Sequence, residues 1–229
     1  MKIFKVKNMP HTKQASEFSD VDRWSLINYS THDYIASRTL LKDGQPGPGT
    51  IMAITSLEKL FKTLLIMKNQ EIVVDGSGHR LEPMIDKLVS LDATFFTNDQ
   101  IIFVKHIDKA YKIRYPDNID PTFRIFLPSL KILENLDLIY CELLNREPLN
   151  QISPNGKYFD MFFQGGAKNS LLFQCNSYYD KSLIGKLSAS CQKCAAYSAN
   201  GNSYMEWYKS SNEVKANNEW NEPPNFNKC

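Results

Sequence analysis

The feature that most limits what this chain can fold into is the apolar spacing that follows Thr50. Ala53, Ile54, Leu57, Leu60, Phe61, Leu64 and Leu65 recur every three or four positions, which spreads a broad apolar face around a helix. Such a helix is stable only when other amphipathic elements cover it, so the segment predicts a helical core. Glu58 stands four residues before Lys62, the orientation that favours an ion pair along a helix.

Covering helices are readable on both sides. Ser19 and Asp20 are good caps, and Trp24, Ile27, Tyr34 and Leu41 follow at spacings of three and seven, which predicts a first helix over 21–42. The segment GQPGPG, Gly44 to Gly49, combines missing amide donors with permissive glycines and reads as a loop. After DGSG at 75–78, a short helix is expected to carry Leu81, Met84, Ile85, Leu88 and Leu91. Asn98 then caps a fourth, with Phe103, Ile107, Ala110 and Tyr111 on one face and Pro116 as its stop. A fifth begins near Pro128 and continues through Leu130, Leu133, Leu136, Tyr140, Leu143 and Leu144 until Pro148. The expected fold class is mainly α: an N-terminal arm over 1–19, then an antiparallel bundle of about five helices over 20–150.

Beyond Pro154 the texture changes. KYFDMFF and SLLFQC are short aromatic and aliphatic runs joined through Gly165 and Gly166, which suits a hairpin. From Asn200 the chain is rich in Asn, Ser and Lys with isolated Trp207 and Trp220, a composition that predicts an irregular tail. Residues 151–229 are thus expected to be an irregular, partly β C-terminal extension.

Charge and composition narrow the function classes. With 27 basic and 25 acidic residues the net charge is +2, so nucleic-acid contact would need a local patch rather than the field of the whole molecule. No apolar run approaches the roughly 20 residues of a spanning helix, and the start, MKIFKVKNMPHTKQ, lacks the apolar stretch of a secretory signal. No membrane contact is expected, and the protein is placed in the cytoplasm. Five cysteines, an odd number in a chain of this size, point to free thiols. Cys191 and Cys194 form a single C-x-x-C, and zinc would need two further ligands from Cys175, Cys229 or elsewhere. No metal is expected, with Cys191 and Cys194 as the candidates if one binds. The absence of a phosphate loop, of G-x-S-x-G and of His-Glu-x-x-His removes common nucleotide-hydrolase, esterase and zincin chemistries, and no cofactor is expected.

The residues left for binding are cationic. Lys59 and Lys62 either meet phosphate or form a solvated face paired with Glu58. His79 and Arg80 open a helix beside two glycines, where an anion or a simple cap would both fit. Arg114 extends the stripe of Phe103, Ile107 and Tyr111, and Arg38 extends that of Tyr34. Each reads as a groove residue for a nucleotide or as half of a buried salt bridge, to Glu58 or Asp33.

The run DYIASRTLL, a turn, ITSLEKLFKTLLIMKN, a turn and HRLEPMIDKL resembles a HEPN domain over roughly 20–147. The family's E-K-x-x-K-x-L signature falls on Glu58, Lys59, Lys62 and Leu64; His79 and Leu81 match its His-x-Leu, and Arg114, Tyr115 and Pro116 its R-Y-P. The resemblance implies an all-helical, commonly dimeric protein associated with nucleotides or RNA, often in toxin–antitoxin and defence systems. Active nucleases of the family place Arg four to six residues before His. Here Arg80 follows His79 directly, Arg23 precedes His32 by nine positions and Arg114 lies after His106. The expectation is therefore a dimer that binds a nucleotide or RNA through Arg38, Lys62, Arg80 and Arg114, or docks a partner such as an antitoxin. The rivals are a metal-independent ribonuclease toxin using His79 with Arg114 or Arg80, and a pure interaction module.

Overall fold

The computed structural model describes residues 11–73, 79–114, 123–151, 176–187, 192–198 and 203–209. Among the described residues the fold is mainly helical, with five α-helices and two small antiparallel sheets. The first helix, α1, spans Asp20–Lys42, capped by the Ser19 hydroxyl, which accepts from the Asp22 amide, while the Asp22 carboxylate accepts from the Ser19 amide in return. Ile27, Tyr34 and Leu41 are buried along it, but Trp24, placed on the same stripe by spacing, is 40% exposed.

The GQPGPG segment is not the loop that its composition predicts. Helix α2 spans Pro46–Met67, with prolines in its first turn. A first turn has no intrahelical partner for its amides, so proline loses nothing there and its fixed φ suits the helix. Gly49 is required for a different reason: a Cβ there would stand 2.7 Å from Leu41 Cγ. The glycine lets α1 and α2 approach closely. The Ser30 hydroxyl donates to the Ser56 carbonyl and the Ser37 hydroxyl to the Gly49 carbonyl, both at 2.8 Å. Partner numbers that rise on one helix as they fall on the other make the two helices antiparallel.

Helix α3 spans Leu81–Leu91 and α4 spans Asn98–Ala110, the latter capped by Thr97, one residue before the expected Asn98. Leu91, read as part of the apolar stripe of α3, ends that helix 41% exposed. A 3-10 turn over Tyr111–Arg114 continues α4. Helix α5 spans Ser129–Asn145.

Two strands, β1 (Thr12–Lys13) and β2 (Ile72–Val73), pair antiparallel and tie the N-terminal arm to the end of α2. The second sheet was not legible in the sequence. Strand β3, Arg124–Pro128, leads straight into α5 and pairs with β4, Gln192–Ser198, which pairs with β5, Ser203–Lys209. Residues 203–209, expected in an irregular tail, are therefore a strand. The Gln192 side-chain oxygen accepts from the Leu130 and Lys131 amides at 2.8 and 3.1 Å, so β4 caps α5 from far along the chain. The hairpin expected from KYFDMFF and SLLFQC lies outside the described residues.

The core is continuous from α1 to β4. Leu57, Leu60, Phe61 and Leu64 of α2 pack with Leu81 and Ile85, Phe103 and Ile107, and Leu133 and Leu136, all fully or nearly fully buried, and Ala195 of β4 joins them. Phe61 meets Phe96 edge to face at 5.5 Å, a favoured aromatic geometry.

Candidate functional site

The charged residues of α2 are drawn inward rather than lying on a solvated face. Glu58 and Lys62 are both buried, and Glu58 Oε1 accepts from Lys62 Nζ at 2.7 Å. The same oxygen stands 3.0 Å from His79 Nδ1, just ahead of α3. One carboxylate thus joins the two segments. Lys59 points the other way and pairs with Asp33 of α1.

Arg80, the next residue, is held by α4. Its Nε and one terminal nitrogen both reach Asp108 Oδ2 at 2.7 Å. The other Asp108 oxygen accepts from the Leu81 amide at 2.8 Å and takes the place of the missing side-chain cap on α3. Hydrogen bonding to Asp108 moves the Arg80 guanidinium further into its charged range.

Tyr111 gathers the remaining two. The His79 ring lies nearly parallel to the Tyr111 ring, 14° apart with centroids at 6.3 Å, and the Arg114 guanidinium stands 5.3 Å from the same ring. Arg114 is exposed, and the His79 side chain is 43% exposed. His79 and Arg114 therefore share one face around Tyr111, with Glu58 behind His79, while Arg80 is held on Asp108, three residues before Tyr111. Tyr115 and Pro116 lie outside the described residues.

Arg38 is elsewhere. Its side chain is fully buried and paired with Asp137 of α5, not with Glu58 or Asp33. Asp137 also accepts from the Tyr34 hydroxyl at 2.8 Å and from the Ser177 amide at 3.3 Å. Asn176 donates to the Tyr34 oxygen at 3.0 Å, and Tyr34 stacks on Tyr140 at 4.1 Å. Burial works against the Arg38 charge, but Tyr34 and Asp137 outweigh it and hold the guanidinium protonated. Burial likewise pushes the Asp137 carboxyl up while Arg38 pulls it back. With three donors on its two oxygens the carboxylate is satisfied, and the cluster is a polar clasp that fixes residues 176–177 to α1 and α5. Burial, followed by Asp137, pushes the neighbouring Cys141 thiol up to about 12, so it stays protonated.

Cys194 is buried on β4, its thiol 3.8 Å from the Gln192 carbonyl, and Cys191 lies outside the described residues. Among the described residues no group of three or more His, Cys, Asp or Glu could hold a metal ion, and no helix is long and apolar enough to cross a membrane. No protein-family model, no curated protein and no solved structure matches the chain.

Sequence reasoning missed Asp108, which orders Arg80, and Asp137, which satisfies Arg38. Both had a signal: each is a carboxylate set among apolar helix positions, beside Ile107 and Leu136. A charge there has to find a partner.

Proposed function

We propose that the chain is a HEPN-like helical protein, acting as a homodimer, that binds the phosphate of a nucleotide or RNA on the face around Tyr111. The observation that carries this reading is the meeting of His79 and Arg114 on the Tyr111 ring, with Arg80 the residue next to His79. A guanidinium presents a fixed fork to phosphate oxygens, and an aromatic ring beneath it offers a stacking platform for a base. Arg80 is held in place by Asp108, so little side-chain freedom is lost on binding. The reading is also supported by the contact between Glu58 and Lys62 of the signature and His79 of His-x-Leu, three residues that the resemblance groups together. Lys62 acts from behind the face through Glu58. Arg38, buried on Asp137, takes no part.

A second reading, a metal-independent ribonuclease toxin, is favoured by one specific contact. If His79 Nδ1–H donates to Glu58 at 3.0 Å, Nε2 carries the lone pair and is a general base of the carboxylate-oriented kind. It would take the proton of a ribose 2′-hydroxyl, whose oxygen attacks the adjacent phosphorus while the P–O5′ bond breaks and the leaving oxygen is protonated from solvent. Arg114 or Arg80 would stabilise the phosphorane charge.

One experiment separates these readings: RNA binding and cleavage by the purified protein in chelator, beside His79→Ala and Arg114→Ala. Binding without cleavage, weakened in Arg114→Ala, is the expected result. Chelator-resistant cleavage abolished by His79→Ala would establish the ribonuclease. Undiminished self-association with no RNA or nucleotide affinity would leave an interaction module that docks a protein partner, an antitoxin-like one included.

A further inference from the structure

Lys62 and Arg80 also line a pocket of about 120 Å³ between the end of α2, β2 and α3. Its walls are aliphatic: Leu65 from α2, Ile72 and Val73 from β2, Pro83 and Met84 from α3. Among the described residues its charged lining is Lys62, Arg80 and Lys87 against one carboxylate, Glu71, which accepts from the Thr12 hydroxyl.

The three cations have donors to spare. Lys62 spends one of its three ammonium donors on Glu58, and Lys87 spends one on the Glu71 carbonyl at 2.8 Å. Arg80 commits Nε and Nη2 to Asp108, with Glu82 a further 3.6 Å from Nη2, which leaves the Nη1 edge of the fork. An anion that enters meets ready donors and breaks no existing pair. The volume is well below the roughly 300–1,000 Å³ of drug-sized sites, and among the described residues no aromatic ring stands in the lining to stack a base. A nucleoside is therefore the wrong shape, and a body of a few methylenes with one anionic head is the right one.

We propose that this pocket binds a small aliphatic carboxylate, its chain among Leu65, Ile72, Val73 and Met84 and its head on Lys62, Arg80 and Lys87. The site shares Lys62 and Arg80 with the nucleotide reading but is tested apart from it, at Lys87 and Val73 rather than at His79 and Arg114. Its position, one residue from His79 and sharing Lys62 with Glu58, makes it a place from which a metabolite-sized acid can act on that face.

The test is a titration of the full chain with hexanoate, followed by backbone amide NMR shifts and calorimetry, with hexanol, inorganic phosphate and adenosine monophosphate as comparison probes. Saturable hexanoate binding is expected, with shifts centred on Val73, Met84 and Lys87, and hexanol weaker by at least about tenfold. Lys87→Ala is expected to weaken hexanoate by about tenfold and Val73→Phe, which fills the pocket, to abolish it, while Arg114→Ala changes nothing. Lys87 and Val73 are partly exposed, so both variants should keep the wild-type circular dichroism spectrum. Absence of saturable hexanoate binding to folded wild-type protein overturns the assignment. So does hexanoate binding undiminished in both variants, or adenosine monophosphate displacing hexanoate from the same residues.

Discussion

Replacing Arg38 with methionine removes the positive half of an ion pair whose side chains are both 0% exposed. The methionine fills most of the aliphatic volume, so the loss is electrostatic rather than a cavity. Asp137 keeps the Tyr34 hydroxyl and the Ser177 amide but loses the charge that offsets its desolvation. Losing one neutral hydrogen bond costs about 1 kcal/mol, whereas removing one partner of a buried pair costs about 3–5 kcal/mol because a carboxylate is stranded. The two retained donors put the expected loss at the low end, about 3 kcal/mol of unfolding free energy near neutral pH. Burial already pushes the Asp137 carboxyl up, and without Arg38 its folded pKa lies above its unfolded one. Stability of the variant is then recovered as pH falls through that folded value, so the deficit against wild type is smaller in mild acid than near neutral pH. Adding Asp137→Asn removes the stranded charge, and the double variant should cost less than the sum of the single ones by at least about 1 kcal/mol. Urea unfolding followed by circular dichroism at both pH values measures all of this. A loss under about 0.5 kcal/mol for Arg38→Met, or strict additivity in the cycle, would refute the reading of this cluster as a clasp.

Two further predictions concern the core. His106 is buried, its Nε2 lies 2.8 Å from the Phe126 carbonyl, and burial pulls its pKa from 6.5 down to about 4. The unfolded chain binds the extra proton between those values, so stability should fall as pH drops from about 6.5 to 4, by up to about 3 kcal/mol, and level off below; His106→Gln should flatten that slope in acid titrations of unfolding. Gly49→Ala gains about 1 kcal/mol of helix propensity but drives a Cβ into Leu41, which is fully buried and cannot swing away. The clash, about 1–3 kcal/mol, should win and lower the melting temperature, whereas an unchanged or raised value would mean that α1 and α2 slide apart freely.

What the sequence made legible was whatever local periodicity controls. The α2 stripe, Leu81 to Leu88, and Leu133 to Leu144 each repeat with a helical period and each became a helix with that face buried. The misreadings came where a residue's meaning depends on position or on distant partners. GQPGPG has the composition of a loop, yet the first turn of a helix tolerates the same residues. RIFLP is short, apolar and fused to a helix, and only pairing with residues 194–198 reveals it as a strand. The site shows the same division. The signature pointed to Glu58, Lys62 and His79, which do meet, on a single carboxylate oxygen between α2 and the start of α3. Arg38 sits on a stripe like that of Arg114, but its neighbour in space is Asp137, ninety-nine residues away, and no local pattern separates a buried pair from a groove.

The geometry of the Tyr111 face follows from a single helix. Asp108 and Tyr111 are three residues apart near the end of α4 and so lie on one side of it. Asp108 takes hold of the start of α3 twice, through the Leu81 amide and through Arg80, and thereby sets where His79 and Arg80 stand. Tyr111, one turn on, carries Arg114 and meets the His79 ring. Both halves of the cationic face are thus referenced to the same rigid turn, although they come from segments about thirty residues apart. Side chains positioned by a packed helix keep their spacing better than side chains carried on free loops. That is why His79 and Arg114 can stay together on one ring, where side-chain entropy would otherwise spread them.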